Sequence, residues 1–73
     1  MKNIEALIAD GGNITLCHIS GVGCAATAGG GHNALAMLAR RDSKTVNALL
    51  ERLDRGIAWY YEDGDTTDEI NPP

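Results

Sequence analysis

The chain has 73 residues and a mass of 7.7 kDa, the size of one small domain, and its formal charge at neutral pH is −4. Hydrophobic residues make up 44%, but ten of them are alanine, and the aromatic set is one Trp, two Tyr and no Phe. A core this thin excludes a deep multi-domain cleft, and it makes a homodimer a reasonable expectation. The charge is also uneven. Residues 1–61 hold six basic and five acidic side chains, whereas residues 62–73 hold five acidic and none basic. The expected organisation is therefore a near-neutral domain over 1–61 and an acidic, disordered tail over 62–73. No run of Lys and Arg suited to a phosphate backbone is present, so nucleic acid is disfavoured as a partner.

In chain order, Ile4, Leu7 and Ile8 fall at i, i+3 and i+4. This spacing predicts a short helix over 3–10, with Asn3 as N-cap and Gly11 as the C′ residue. A strand ending in a turn at Asp10–Asn13 is the competing reading. Residues 13–19 (NITLCHI) alternate and are rich in β-branched side chains, the pattern of a strand. Ser20–Gly23 is a turn, and residues 24–28 (CAATA) are small enough for a strand crowded by a helix. A second glycine-rich break spans 29–33. Residues 34–40 (ALAMLAR) suit a strand by context and a helix by their alanine content; the strand is taken here.

The clearest element is a helix opening near Asp42 or Ser43. Val46, Leu49, Leu50, Leu53, Ile57 and Tyr60 lie on one stripe of period 3.6, and Gly64 ends it. The expected fold is α+β: a short N-terminal helix, a three-stranded antiparallel meander and a long C-terminal amphipathic helix in two layers, followed by a flexible acidic tail.

Candidate chemistry is sparse. Gly21-Val22-Gly23-Cys24-Ala25-Ala26 matches the letters of a dinucleotide-binding turn, but no helix-forming segment follows to face a pyrophosphate. Cys17, His18, Cys24 and His32 are metal-ligand types without a structural zinc spacing, and Cys17 and His18 point to opposite faces of a strand. The two cysteines could instead face one another across the first hairpin. No base, nucleophile and oxyanion group converge in the pattern. The expectation is a non-enzymatic chain with no catalytic residue, no metal and no cofactor. Glu5 and Asp10 interrupt the N-terminal apolar run, so no secretory leader is expected, and no apolar stretch approaches a membrane span. The cytoplasm is the expected compartment.

The long helix offers a surface. At about 100° per residue, Trp59 falls opposite the apolar stripe beside Arg52 and Arg55, a pairing of residue types enriched where proteins dock. A bend at Gly56 would instead fold Trp59 back over the sheet edge. Tyr60 and Tyr61 are placed at the lower edge of the core. The candidate partner-binding set is Arg52, Arg55 and Trp59, with Asp65, Asp68, Glu69 and Ile70 from the acidic segment. Two functions follow: a protein-interaction module presenting the helix face and tail to a protein partner, or an inhibitor of a nucleic-acid-binding protein whose carboxylates stand in for phosphates.

The helix–three strands–helix order, with Ser43-Lys44 opening the last helix, is similar to a double-stranded-RNA-binding domain. That resemblance implies phosphate and 2′-OH contacts through a lysine cluster, but Lys44 is followed by Thr45 and Val46. Arg40-Arg41-Asp42-Ser43-Lys44-Thr45, Leu49–Asp54 and the ending Thr67–Asn71 resemble small uncharacterised bacteriophage- and prophage-encoded proteins. This resemblance implies an accessory role in a bacterial host and assigns no site residue.

Overall fold

The computed structural model describes residues 1–31, 33–41 and 44–70. The order is α1 (Lys2–Ala9), β1 (Asn13–Ile19), β2 (Gly23–Gly30), β3 (Asn33–Ala39), α2 (Val46–Asp63) and β4 (Thr67–Asp68). The protein is α+β, with a short N-terminal helix, a four-stranded sheet and a C-terminal helix. The strands lie in the order β1-β2-β3-β4. The first three form the expected antiparallel meander, and β4 adds in parallel to β3 through Ala36↔Thr67 and Met37↔Asp68. The sheet therefore has four strands instead of three, the fourth drawn from the segment expected to be a free tail. The 61/62 boundary also falls inside α2, which continues through Glu62 and Asp63.

The core is built from small strand residues beneath large helical ones. Ala26, Ala28, Ala36 and Leu38 meet Leu49, Leu53 and Ile57 from α2 and Leu7 from α1. Both helices thus contribute to one core on one face of the sheet. A register shift between Ala28 and Gly29 lets the adjacent residues Leu35 and Ala36 both enter that core, which strict alternation would forbid. Alanine suits β2 and β3 because α2 approaches closely. A Cβ added at Gly56 would lie 3.2 Å from the Ala36 Cβ. The helix runs unbroken through Gly56 and Trp59 is left exposed, so of the two alternatives the chain adopts the exposed Trp59 and not the one folded back over the sheet edge.

Capping differs from expectation at both helix starts. Asn3 lies inside α1, whose N-cap is Met1 and makes no side-chain capping bond. The missing acceptor comes from α2 instead. Asp54 accepts the Ile4 N–H at 2.9 Å and the Asn3 Nδ2 at 3.0 Å, so a carboxylate fifty residues away sits on the first turn. For α2, Thr45 is the N-cap, its hydroxyl accepting from Ala48 N–H at 3.0 Å. Asp42 and Ser43, the expected caps, lie outside the described residues. Gly64 closes α2 in the left-handed region at φ 76°, as its position after the apolar stripe suggests.

Candidate functional site

The Gly21–Gly23 turn leads directly into β2, so no helix N-terminus faces it and the dinucleotide reading has no geometry behind it. The hairpin register pairs Cys17 with Ala25 and His18 with Cys24. Cys17 and Cys24 therefore point to opposite faces of the sheet and do not meet; both are free thiols. His32 lies outside the described residues, and among those described no three His, Cys, Asp or Glu side chains cluster as a metal site would need. No helix among the described residues is long and apolar enough to cross a membrane.

The helical geometry that places Arg52, Arg55 and Trp59 on one side of α2 has a counterpart in space. An open cleft of about 290 Å³ lies between α2, the end of β3 and β4, lined by Leu38, Arg41, Arg52, Arg55, Gly56, Trp59, Thr67 and Glu69. Trp59 is 51% exposed on it. Of the two tyrosines, Tyr60 packs on the core, but Tyr61 is 61% exposed, so only one of the pair forms the core edge. Their rings meet edge-on, centroids 5.6 Å apart.

Glu69 is the polar centre of the cleft. Its Oε2 accepts from Arg52 Nη2 at 2.5 Å and from Arg41 Nη2 at 3.3 Å, while Oε1 accepts from the Ala39 N–H at 3.1 Å. Arg52 also donates through Nη1 to the Ala39 carbonyl at 3.1 Å, which ties the guanidinium to the end of β3. The Arg52 and Glu69 side chains are only 20% and 29% exposed. Partial burial works to raise the Glu69 pKa, but Arg52, the Ala39 N–H and Arg41 together outweigh it, and the carboxyl titrates below the ordinary glutamate value. Arg55 stands apart: among the described residues it has no carboxylate partner.

Four of the seven expected binding residues, Arg52, Arg55, Trp59 and Glu69, thus converge on one cleft. Asp65, Asp68 and Ile70 do not line it. Asp68 accepts the Ile70 N–H at 2.9 Å, a local turn following β4. Sequence reasoning missed Arg41, Leu38, Gly56 and Thr67 as cleft residues. The placement of all six basic side chains in the near-neutral body, ahead of an acidic segment with none, was the available signal for Arg41, since opposite charges on one short chain attract. No protein-family model, curated protein or solved structure matches this chain.

Proposed function

We propose that this chain is a non-enzymatic protein-interaction module that docks a protein partner at the α2–β4 cleft. The observation carrying this reading is a half-exposed Trp59 on the rim of an open cleft, beside an Arg55 that has no carboxylate partner among the described residues. A large aromatic left in water on a helix whose core stripe is already filled contributes little to folding. Trp and Arg next to one another supply apolar area and directed donors, the combination that dominates protein–protein contacts. The inhibitor reading asks the acidic segment to turn its carboxylates outward, and the internal engagement of Glu69 favours the cleft instead.

The test is capture of partners from nuclease-treated lysate, followed by titration of the captured protein against wild type and Trp59→Ala. The expected loss is more than ~2 kcal/mol, about thirtyfold in Kd, with an unchanged unfolding midpoint. Equal affinity of the two proteins overturns the assignment.

A further inference from the structure

We propose that the α2–β4 cleft receives an extended acidic segment of the partner, which adds in parallel to β3 and places a carboxylate where Glu69 sits. On this account Thr67–Glu69 is an internal copy of that ligand. The inference rests on the reading of the cleft as the docking site.

Three observations carry it. First, β3 has seven residues and β4 pairs with only two of them, Ala36 and Met37. A two-residue strand at a sheet edge is held by few ladder bonds, and a longer incoming strand would gain more. Second, three directed contacts that the segment makes with β3 are ones that another extended chain could reproduce. The Glu69 N–H donates to the Met37 carbonyl at 2.8 Å, the Thr66 hydroxyl to the Ala34 carbonyl at 3.4 Å, and the carboxylate takes the Ala39 N–H. Third, the charge is complementary. Arg41 and Arg52 converge on one carboxylate, and Arg55, which has no carboxylate partner among the described residues, lines the same cleft, so a ligand with a second acidic group would satisfy it. Trp59 at the same rim then packs on the apolar side chains of the incoming strand.

The internal segment is tethered through Gly64, so its effective concentration at the cleft is high, on the order of millimolar. A free ligand must compete with it. Weakening the internal copy should therefore strengthen binding in trans, the opposite of what loss of an ordinary binding residue does.

The probe is a blocked synthetic peptide with the sequence of residues 64–70, titrated into the full chain while the Ala36–Ala39 amide shifts and Trp59 fluorescence are followed. Glu69→Ala in the full chain is expected to bind it about tenfold or more tightly than wild type, the amount one charge-assisted hydrogen bond carries. The same peptide with its glutamate changed to Gln should lose that gain, as should adding Arg52→Gln to the Glu69→Ala chain. Glu69→Gln, nearly isosteric, repeats the test if the alanine variant does not fold. Affinities within twofold for wild type and Glu69→Ala, or equal binding of the Gln peptide, overturn the proposal. A concentration-dependent dimer of the wild-type chain that Glu69→Ala abolishes also overturns it, by making a second copy's 67–69 segment the occupant. Adding Trp59→Ala separates the two readings. Peptide binding that needs Arg52 but not Trp59 retains the acidic-strand site and removes the Trp59 anchor, whereas dependence on Trp59 with no effect of Glu69 does the reverse.

Discussion

Replacing Asp54 with alanine tests how α1 is held. Helix α1 has eight residues, too few to persist alone in water, and its N-cap residue makes no side-chain bond to the first turn. Asp54 supplies that bond from α2, accepting the Ile4 N–H at 2.9 Å and the Asn3 amide at 3.0 Å. Loss of a capping acceptor costs about 1 kcal/mol, and loss of a negative charge at a helix N-terminus costs about 0.3–1 kcal/mol more in partly solvated positions. Asp54→Ala should therefore destabilise by about 1–2 kcal/mol. For a 73-residue chain, whose total stability is expected at about 4–11 kcal/mol, that lowers Tm by roughly 6–14 °C. Asp54→Asn keeps an acceptor and loses only the charge, so its Tm should fall between the other two. Burial works to raise the Asp54 pKa, but the Ile4 and Asn3 hydrogen bonds outweigh it, leaving the carboxyl below the ordinary value of 3.8. A folded pKa below the unfolded one adds stability at pH values above the unfolded pKa, and this is lost as pH falls through the folded value. Thermal melts by circular dichroism from about pH 7 down to about pH 2.5 should thus show the gap between wild type and Asp54→Ala narrowing towards the acid end. There wild type approaches Asp54→Asn, because a protonated Asp54 keeps an acceptor and loses only its charge. A Tm for Asp54→Ala within 2 °C of wild type at pH 7, or an Asn variant as damaged as the alanine one, would refute the capping argument.

Two further stability predictions follow from the core. Leu53 is completely buried between α2 and the sheet, so Leu53→Ala should cost about 2–5 kcal/mol in urea unfolding, a large part of the total. A midpoint close to wild type would mean that the alanine-rich sheet collapses onto the gap. At Gly56 a Leu side chain would start 3.2 Å from the Ala36 Cβ and 3.9 Å from the Thr67 hydroxyl. Overpacking of this kind costs about 1–3 kcal/mol, which exceeds the roughly 1 kcal/mol gained in helix propensity. Gly56→Leu should therefore unfold at lower urea and lose amide protection at β4; a stabilised variant would show that α2 can move outward freely.

The elements that sequence alone located share one property: their determinants are local. The apolar stripe from Val46 to Tyr60 and the stop at Gly64 mark α2 because helical period and left-handed backbone are written within a few residues. Alternation in NITLCHI and the glycine turn after it mark β1 and the first hairpin in the same way. The common side of Arg52, Arg55 and Trp59 also follows from helix geometry, and with an unbroken α2 it becomes one wall of a cleft. What the tertiary structure alone decided is non-local. Strand β4 has two residues, too few for any period, and exists because the close approach of α2 at Gly56 and the edge of β3 leave a place for Thr67. Nothing in the spacing around Asp54 singles it out, yet it caps a helix fifty residues earlier. Glu69 reads as part of a solvated tail, but folding places it between Arg41, Arg52 and the end of β3. Each of these rests on a hydrogen bond between distant residues, and such bonds leave no trace in spacing or composition because either partner alone has a satisfactory partner in water.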